Sequence, residues 1–214
     1  TRLVAPVPAI ASMIVADNFP AWMRRKLYIF SAGHASCAYL GHLKGYRYIH
    51  SAIRDAEIRA SVLQAMTEAQ QGIAAIYGEA FAGGPAHLQE ILDRFANAAI
   101  SDPISRVARD PFRKLASEDR LLGAARLAAQ AGVHPRQLLR AAAAAYCFSD
   151  PADAVAAELQ KEICATGMHP TMRRVSGLMP GDRLGRTLVK RWRQLTRQWH
   201  GDSVLLSLDQ VHWA

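Results

Sequence analysis

Lys26-Leu-Tyr-Ile-Phe-Ser31-Ala-Gly-His34-Ala-Ser-Cys-Ala-Tyr39-Leu-Gly41 is the stretch on which the reading of this chain turns. It holds no proline and only scattered glycine, so it reads as the body of a helix from about Pro20 to Leu43. Asp17 or Asn18 is the expected cap, Pro20 is tolerated in the first turn, and Gly45 stops the helix. At about 100° per residue, Ser31 lies roughly 140° and His34 roughly 80° around from Lys26, so all three share one half of the helix. The axial rise between Lys26 and His34 is about 12 Å, so their side chains must lean together, aided by a bend at Gly33. A lysine sheltered from bulk water can take a proton near neutral pH, and neighbouring donors can stabilise an oxygen that becomes negative. That is the minimum for alcohol and carbonyl chemistry. Lysine, serine and histidine also fall close together in helices that do no chemistry, so the geometry permits a site without proving one.

Outward from this segment the chain continues as helix. Ile58, Val62, Met66, Ala69, Ile73 and Ile76 recur every three or four residues between about Asp55 and Tyr77 and read as core. Pro85 opens a helix with Leu88, Ile91, Leu92 and Phe95 inward. Ser117 is read as the cap of a helix to about Gln130, and Pro135 and Pro151 as the starts of two more. The alanine run Ala141 to Ala145 favours helix and close packing. After a proline-bearing entry at Ala5 to Ala9, only Val204 to Leu208 suggests a short strand. The fold class is therefore all-α, a single multi-helix domain over residues 1–181 followed by a C-terminal extension, 182–214.

At 214 residues, half of them hydrophobic, the chain can bury one substantial core. No apolar run approaches the roughly 20 residues that cross a bilayer, and no signal peptide is evident, so a cytoplasmic location is expected. Cys37, Cys147 and Cys164 are odd in number and show no metal-ligand spacing, which points to reduced, structural thiols.

The Lys26 to Gly41 segment resembles the C-terminal domain of the mannitol dehydrogenase family, nearest its mannitol-1-phosphate 5-dehydrogenase branch. The family signature is a lysine, four residues, an asparagine, two residues and a histidine. Lys26 and His34 fit it, and Ser31 stands where the asparagine belongs. Further matches are Asp17-Asn18, Ala38-Tyr39-Leu40-Gly41, Lys44-Gly45-Tyr46, DPISRVARDPFRKLASEDRL from Asp102 to Leu121, and Val175-Ser176-Gly177-Leu178. The resemblance covers roughly residues 7 to 180.

It implies hydride transfer between NAD and a sugar alcohol phosphate or ketose phosphate, without a metal, with mannitol 1-phosphate and fructose 6-phosphate as the interconverted pair. It also implies Lys26 as general base, His34 as a positioning donor and Ser31 in the place of the oxygen-holding asparagine. A serine hydroxyl is shorter than an amide and cannot donate and accept through separate atoms. A non-enzymatic helical module is the alternative.

A dinucleotide domain should show G-x-G-x-x-G between strand and helix. The fourteen glycines of this chain never fall as G-x-G, so the expectation is the substrate half of a two-domain dehydrogenase, partnered by a dinucleotide-binding domain in cis or in trans.

Arg106, Arg109, Arg113, Lys114 and Arg120 crowd around Pro111. Arginine grips phosphate bidentately and lysine supplies a point charge, so Arg109, Arg113 and Lys114 are the candidate substrate-binding residues. The alternative is pairing with Asp102, Asp110, Glu118 or Asp119 at the surface. Near the C-terminus, Leu184, Leu188, Trp192, Leu195 and Trp199 form an apolar stripe among Arg183, Arg186, Lys190, Arg191, Arg193 and Arg197. Such a basic amphipathic helix can dock on its own domain, lie on an anionic membrane or meet nucleic acid. The net charge of +8 suits polyanions in general and does not choose among them.

Overall fold

The computed structural model describes residues 18–200, with Ala11 alone ahead of them. Every regular element among them is helical, apart from one isolated bridge between Tyr48 and Pro103. The entry at Ala5 to Ala9, Asp17 and the Val204 to Leu208 segment lie outside the described residues.

The first helical rod has three parts: α1 (Phe19–Arg25), a π-helical turn (Lys26–Ser31) and α2 (Ala32–Leu43). Asn18 caps it, its Oδ1 accepting from Ala21 N at 3.2 Å, with Pro20 in the first turn. Gly45 ends it at φ +76°, where Tyr46 N reaches back to Gly41 O at 2.9 Å. After α3 (Ile49–Ala52) comes the long α4 (Ala56–Tyr77), capped by Asp55, which accepts from Glu57 N at 2.9 Å and Ile58 N at 3.1 Å. Its inward face is the expected one as far as Ile73. Ile76 departs from the expectation at 49% exposure, while Ala74 and Tyr77 of the same last turn pack against the core.

Next come α5 (Glu79–Ala82), α6 (Pro85–Ala96), α7 (Ile104–Ala108) and α8 (Pro111–Lys114). Leu88, Ile91, Leu92 and Phe95 all face inward from α6. The following helix, α9 (Leu122–Gln130), starts four residues later than a Ser117 cap would have it. The Glu118 carbonyl accepts from the Tyr28 hydroxyl at 3.1 Å, so it is held by the π-helical turn rather than by a helical amide of its own segment. Pro135 does precede α10 (Arg136–Tyr146). Pro151, in contrast, lies in a turn, and α11 (Ala154–Thr166) begins behind Asp153, whose Oδ1 accepts from Val155 N at 3.0 Å and Ala156 N at 3.2 Å. The chain continues through α12 (Met168–Ser176) to α13 (Arg183–His200).

α10 is the centre of the molecule, packed against α2, α4, α9 and α13, with Ala141 to Ala145 fully buried. Short side chains let four helices approach one axis closely. On the far side α13 lays Leu188, Trp192 and Leu195 against this layer, leaving Trp199 at 37% exposure at its end. No described helix is long and apolar enough to cross a membrane. Cys37 and Cys147 are buried, Cys164 is exposed, and none forms a disulfide.

Candidate active site

The π turn changes the geometry expected for Lys26, Ser31 and His34. Uniform α-helix would put Ser31 about 140° around from Lys26. Here Ala32 N–H reaches the carbonyl of Leu27, five residues back, and the widened turn brings Ser31 round closer to the flank of Lys26 than α spacing would. His34 follows three α-helical residues later, on the same flank. The backbone thus aligns the three more closely than even α spacing does.

Their surroundings differ. Lys26 is exposed and forms no hydrogen bond or ion pair among the described residues, while Ser31 is half-buried. His34 is held firmly. Its ring stacks on Phe95, with centroids 4.8 Å apart and planes 17° from parallel, and its Nε2 lies 3.3 Å from Asp102 Oδ2. Burial drives its pKa down to about 4, aided by Arg106, Arg120 and Arg94, and Asp102 only partly opposes this. The imidazole is therefore neutral at physiological pH.

Asp102 is itself fixed. Its carboxylate pairs with Arg106, its carbonyl accepts from Ile49 N at 3.0 Å, and Ile104 N donates to Arg47 O at 3.0 Å. These backbone links fasten the 102–104 strip to the start of α3. Beside His34 opens a cavity of about 150 Å³, with Arg94, His50, Asn97 and Asp102 as its polar lining. The Arg94 guanidinium sits over the Phe30 ring at 5.2 Å, and His50 Nδ1 is buried without a hydrogen-bond partner. Sequence reasoning did not single out Arg94, His50 or Asn97. Arg94 was hidden as an ordinary charge on an amphipathic helix, and only the fold turns it toward His34.

The three candidate phosphate ligands take three different positions. Arg113 Nε is 2.8 Å from Asp110 Oδ2, the surface pairing foreseen as the alternative. Lys114 is 3% exposed, its Nζ donating to the Arg109 carbonyl, and burial with the nearby Arg120 and Arg113 lowers its pKa to about 8. Arg109 is exposed at the end of α7, and its guanidinium meets no carboxylate among the described residues. Asp110 makes the corner between α7 and α8 at φ +59°, with its N–H donating to Asp153 Oδ2 at 2.9 Å. Tyr39 of α2 donates to Ala108 O at 2.8 Å, which ties this corner to the helix carrying His34. Arg106 and Arg120 are engaged by Asp102 and by Asp119, the latter at 2.7 Å.

The mannitol dehydrogenase C-terminal domain model matches residues 18–188. The chain belongs to that family. Two relatives of this mannitol dehydrogenase C-terminal domain are mannitol-1-phosphate 5-dehydrogenases. That of Arthrobacter sp. (strain FB24) is 36% identical over 175 residues, 82% of this chain and 46% of the relative. That of Thermoanaerobacter pseudethanolicus is 33% identical over 181 residues, 85% of this chain and 47% of the relative. The chain thus spans about half the length of these curated relatives. Among solved structures, Pseudomonas fluorescens mannitol 2-dehydrogenase, in a ternary complex with NAD and D-mannitol, aligns with a TM-score of 0.65 at 18% identity. The alignment covers 92% of this chain and 42% of that one, and supports the helical fold. The matched region ends within α13, so the part of that helix from Val189 onward lies beyond the family pattern.

A nicotinamide dinucleotide does not fit the described residues of this domain by itself. They include no strand leading through a glycine-rich turn into a helix, the arrangement that seats a pyrophosphate.

Proposed function

We propose that this chain is the substrate-binding and catalytic half of an NAD-dependent polyol phosphate dehydrogenase, interconverting mannitol 1-phosphate and fructose 6-phosphate together with a dinucleotide-binding domain. The observation that supports the reading is the π turn, which turns Ser31 and His34 toward the flank of Lys26, together with the polar cavity that His34 lines. The dinucleotide would supply the hydride acceptor, and this chain would supply the alcohol end of the reaction. Lys26 takes the hydroxyl proton, Ser31 offers one hydrogen bond to the substrate oxygen, and the neutral His34 orients the hydroxyl. Lys26 is exposed in this chain, so its shelter from water comes from the domain that covers it. Arg94, in the wall of that cavity, is the cation assigned to the phosphate, and of the three arginine and lysine candidates Arg109 alone stays available, since Arg113 is paired and Lys114 is buried.

The test joins this chain to its dinucleotide-binding domain and compares NAD-dependent oxidation of mannitol 1-phosphate with that of Lys26→Ala. A fall in kcat of at least about 100-fold is expected on removal of the general base. Unchanged turnover would falsify the reading.

A second reading, a helical module that binds sugar phosphate without transferring hydride, is favoured by Ser31 in the asparagine position. Saturable sugar phosphate binding with no turnover under any domain pairing would establish it.

A further inference from the structure

The cavity beside His34 holds one buried polar atom that nothing in the fold serves. His50 lies in α3, with its ring half-buried and stacked on Tyr48, the centroids 5.4 Å apart and the planes 18° from parallel. The backbone next to it is pinned, since Ile49 N donates to Asp102 O at 3.0 Å and Ile104 N donates to Arg47 O at 3.0 Å. The ring is thus held by its stacking partner and by the strip that carries Asp102, the residue facing His34. Its Nδ1 nevertheless lies buried in that cavity wall without a hydrogen-bond partner among the described residues. A buried polar atom left unpaired costs free energy, and each one in a native fold calls for a cause. An apolar side chain of similar size would avoid that cost.

Other polar groups of the same wall are already engaged. His34 Nε2 faces Asp102, whose carboxylate also pairs with Arg106, and Asn97 Oδ1 accepts from Ala99 N at 3.0 Å. His50 Nδ1 is a hydrogen-bonding position that the fold fixes and does not use. What would serve it follows from size and from imidazole chemistry. A cavity of about 150 Å³ holds a molecule of about six heavy atoms, the size of a three-carbon segment with its three hydroxyls. Nδ1 donates in one neutral tautomer and accepts in the other. A hydroxyl does both, so it satisfies Nδ1 in either tautomer, whereas a fully ionised phosphate only accepts. Ile49, Phe95 and Ile100 in the wall suit the C–H edges of such a chain.

We propose that His50 is a specificity-determining residue whose Nδ1 hydrogen-bonds a hydroxyl of the polyol chain lying in this cavity. The inference rests on the proposed function and deepens it. His34 orients the reacting hydroxyl, Arg94 takes the phosphate, and His50 reads a hydroxyl that neither reacts nor carries the phosphate. A site that hydrogen-bonds a substrate hydroxyl rejects the analogue lacking it, because the buried polar atom is then left unpaired.

The test measures binding of mannitol 1-phosphate to the two-domain protein by calorimetry without NAD, so that no hydride moves whatever the role of Lys26. Native protein is compared with His50→Leu and with His50→Asn, whose amide reaches the place of Nδ1. His50→Leu should weaken binding by about tenfold, and His50→Asn should recover most of the loss. Among analogues that each lack one hydroxyl, one should bind the native protein about tenfold more weakly than the parent, and His50→Leu should bind that analogue and the parent alike. Because the substitution removes a buried atom that nothing in the fold serves, the thermal midpoint of ligand-free His50→Leu should be unchanged or raised.

Equal binding by native protein and His50→Leu would overturn the proposal, as would a His50→Leu variant that discriminates the analogues as the native protein does. A midpoint lowered in both variants, with binding weakened alike in both, would make the ring a structural element and overturn it too. Equal weakening of inorganic phosphate binding by His50→Leu would overturn the hydroxyl assignment in favour of the phosphate end. Failure of the proposed function has a different signature: turnover that is absent, or unchanged in Lys26→Ala, with the His50 dependence of binding intact.

Discussion

His34 Nε2 and Asp102 Oδ2 lie 3.3 Å apart, joining α2 to a strip of chain that is held from both sides. A carboxylate facing one ring nitrogen favours the tautomer that carries its proton there. The assignment that follows is Nε2–H, with the lone pair on Nδ1. A neutral ring of that tautomer accepts a hydrogen bond from a ligand hydroxyl and does not donate one through Nδ1.

Nitrogen-15 spectra of the imidazole report this directly. His34 should remain a single neutral tautomer until the pH falls to about 4, against 6.5 for an ordinary histidine. In Asp102→Asn the preference for the Nε2–H form should weaken and the pKa should fall further, because Asp102 is the group that raises it. Titration of His34 near its ordinary value would refute the buried, neutral assignment.

The same depressed pKa makes stability depend on pH with a definite sign. Between pH 6.5 and about 4 the unfolded chain binds a proton at this histidine and the folded chain does not. The folded state therefore keeps this contribution above pH 6.5 and loses it as the pH falls through that window. The full difference is about 3 kcal/mol. Urea unfolding across the window should show the decline in the native chain and a shallower one in His34→Asn.

Under the proposed function, Ser31, in the place of the signature asparagine, is the departure with the most direct expected kinetic consequence. Loss of one oxyanion donor slows turnover by about two to three orders of magnitude. Ser31→Asn in the two-domain protein should restore much of this in kcat, with a smaller change in KM. An unchanged kcat would mean that this position does not hold the reacting oxygen.

Glu68 caps a helix that is remote in sequence. Buried on α4, its carboxylate accepts from Gln137 N at 3.0 Å and Leu138 N at 3.0 Å, at the start of α10. Glu68→Ala leaves these amides without their acceptor and should cost about 2 kcal/mol. Glu68→Gln, which keeps one carbonyl oxygen, should lose less. Equal unfolding midpoints for the native chain and Glu68→Ala would show that solvent replaces the cap.

Gly72 marks the closest approach of α4 and α9. A Cβ there would stand 2.9 Å from Ala128 N and 3.0 Å from Ala128 Cα. In an open helix, Gly→Ala gains about 0.5 to 1 kcal/mol. Against backbone that cannot swing aside, overpacking costs about 1 to 3 kcal/mol. Gly72→Ala should therefore be destabilised overall, and a raised thermal midpoint would contradict the contact.

The helices were legible because their causes are local. Asn18 and Asp55 cap the segments they precede, Gly45 takes a positive φ, and the apolar spacing from Ile58 to Ile73 marks a buried face. Where the local reading slipped, a contact from elsewhere intervened. The Tyr28 hydroxyl holds the Glu118 carbonyl, and α9 starts at Leu122 instead of following Ser117.

By itself the sequence determined the all-α class and the family, because periodicity, caps and motif spacing act over a few residues. Only the three-dimensional structure decided the π turn that aligns Lys26, Ser31 and His34, the Asp102 contact that orients His34, and the burial of Lys114. It also decided that the apolar stripe of α13 docks on α10 and leaves the cations facing outward. The π turn is local; the Asp102 contact, the burial of Lys114 and the docking of α13 depend on segments far apart in the chain meeting in space. Desolvation and charge pairing are set by that meeting, and spacing along the chain does not encode them.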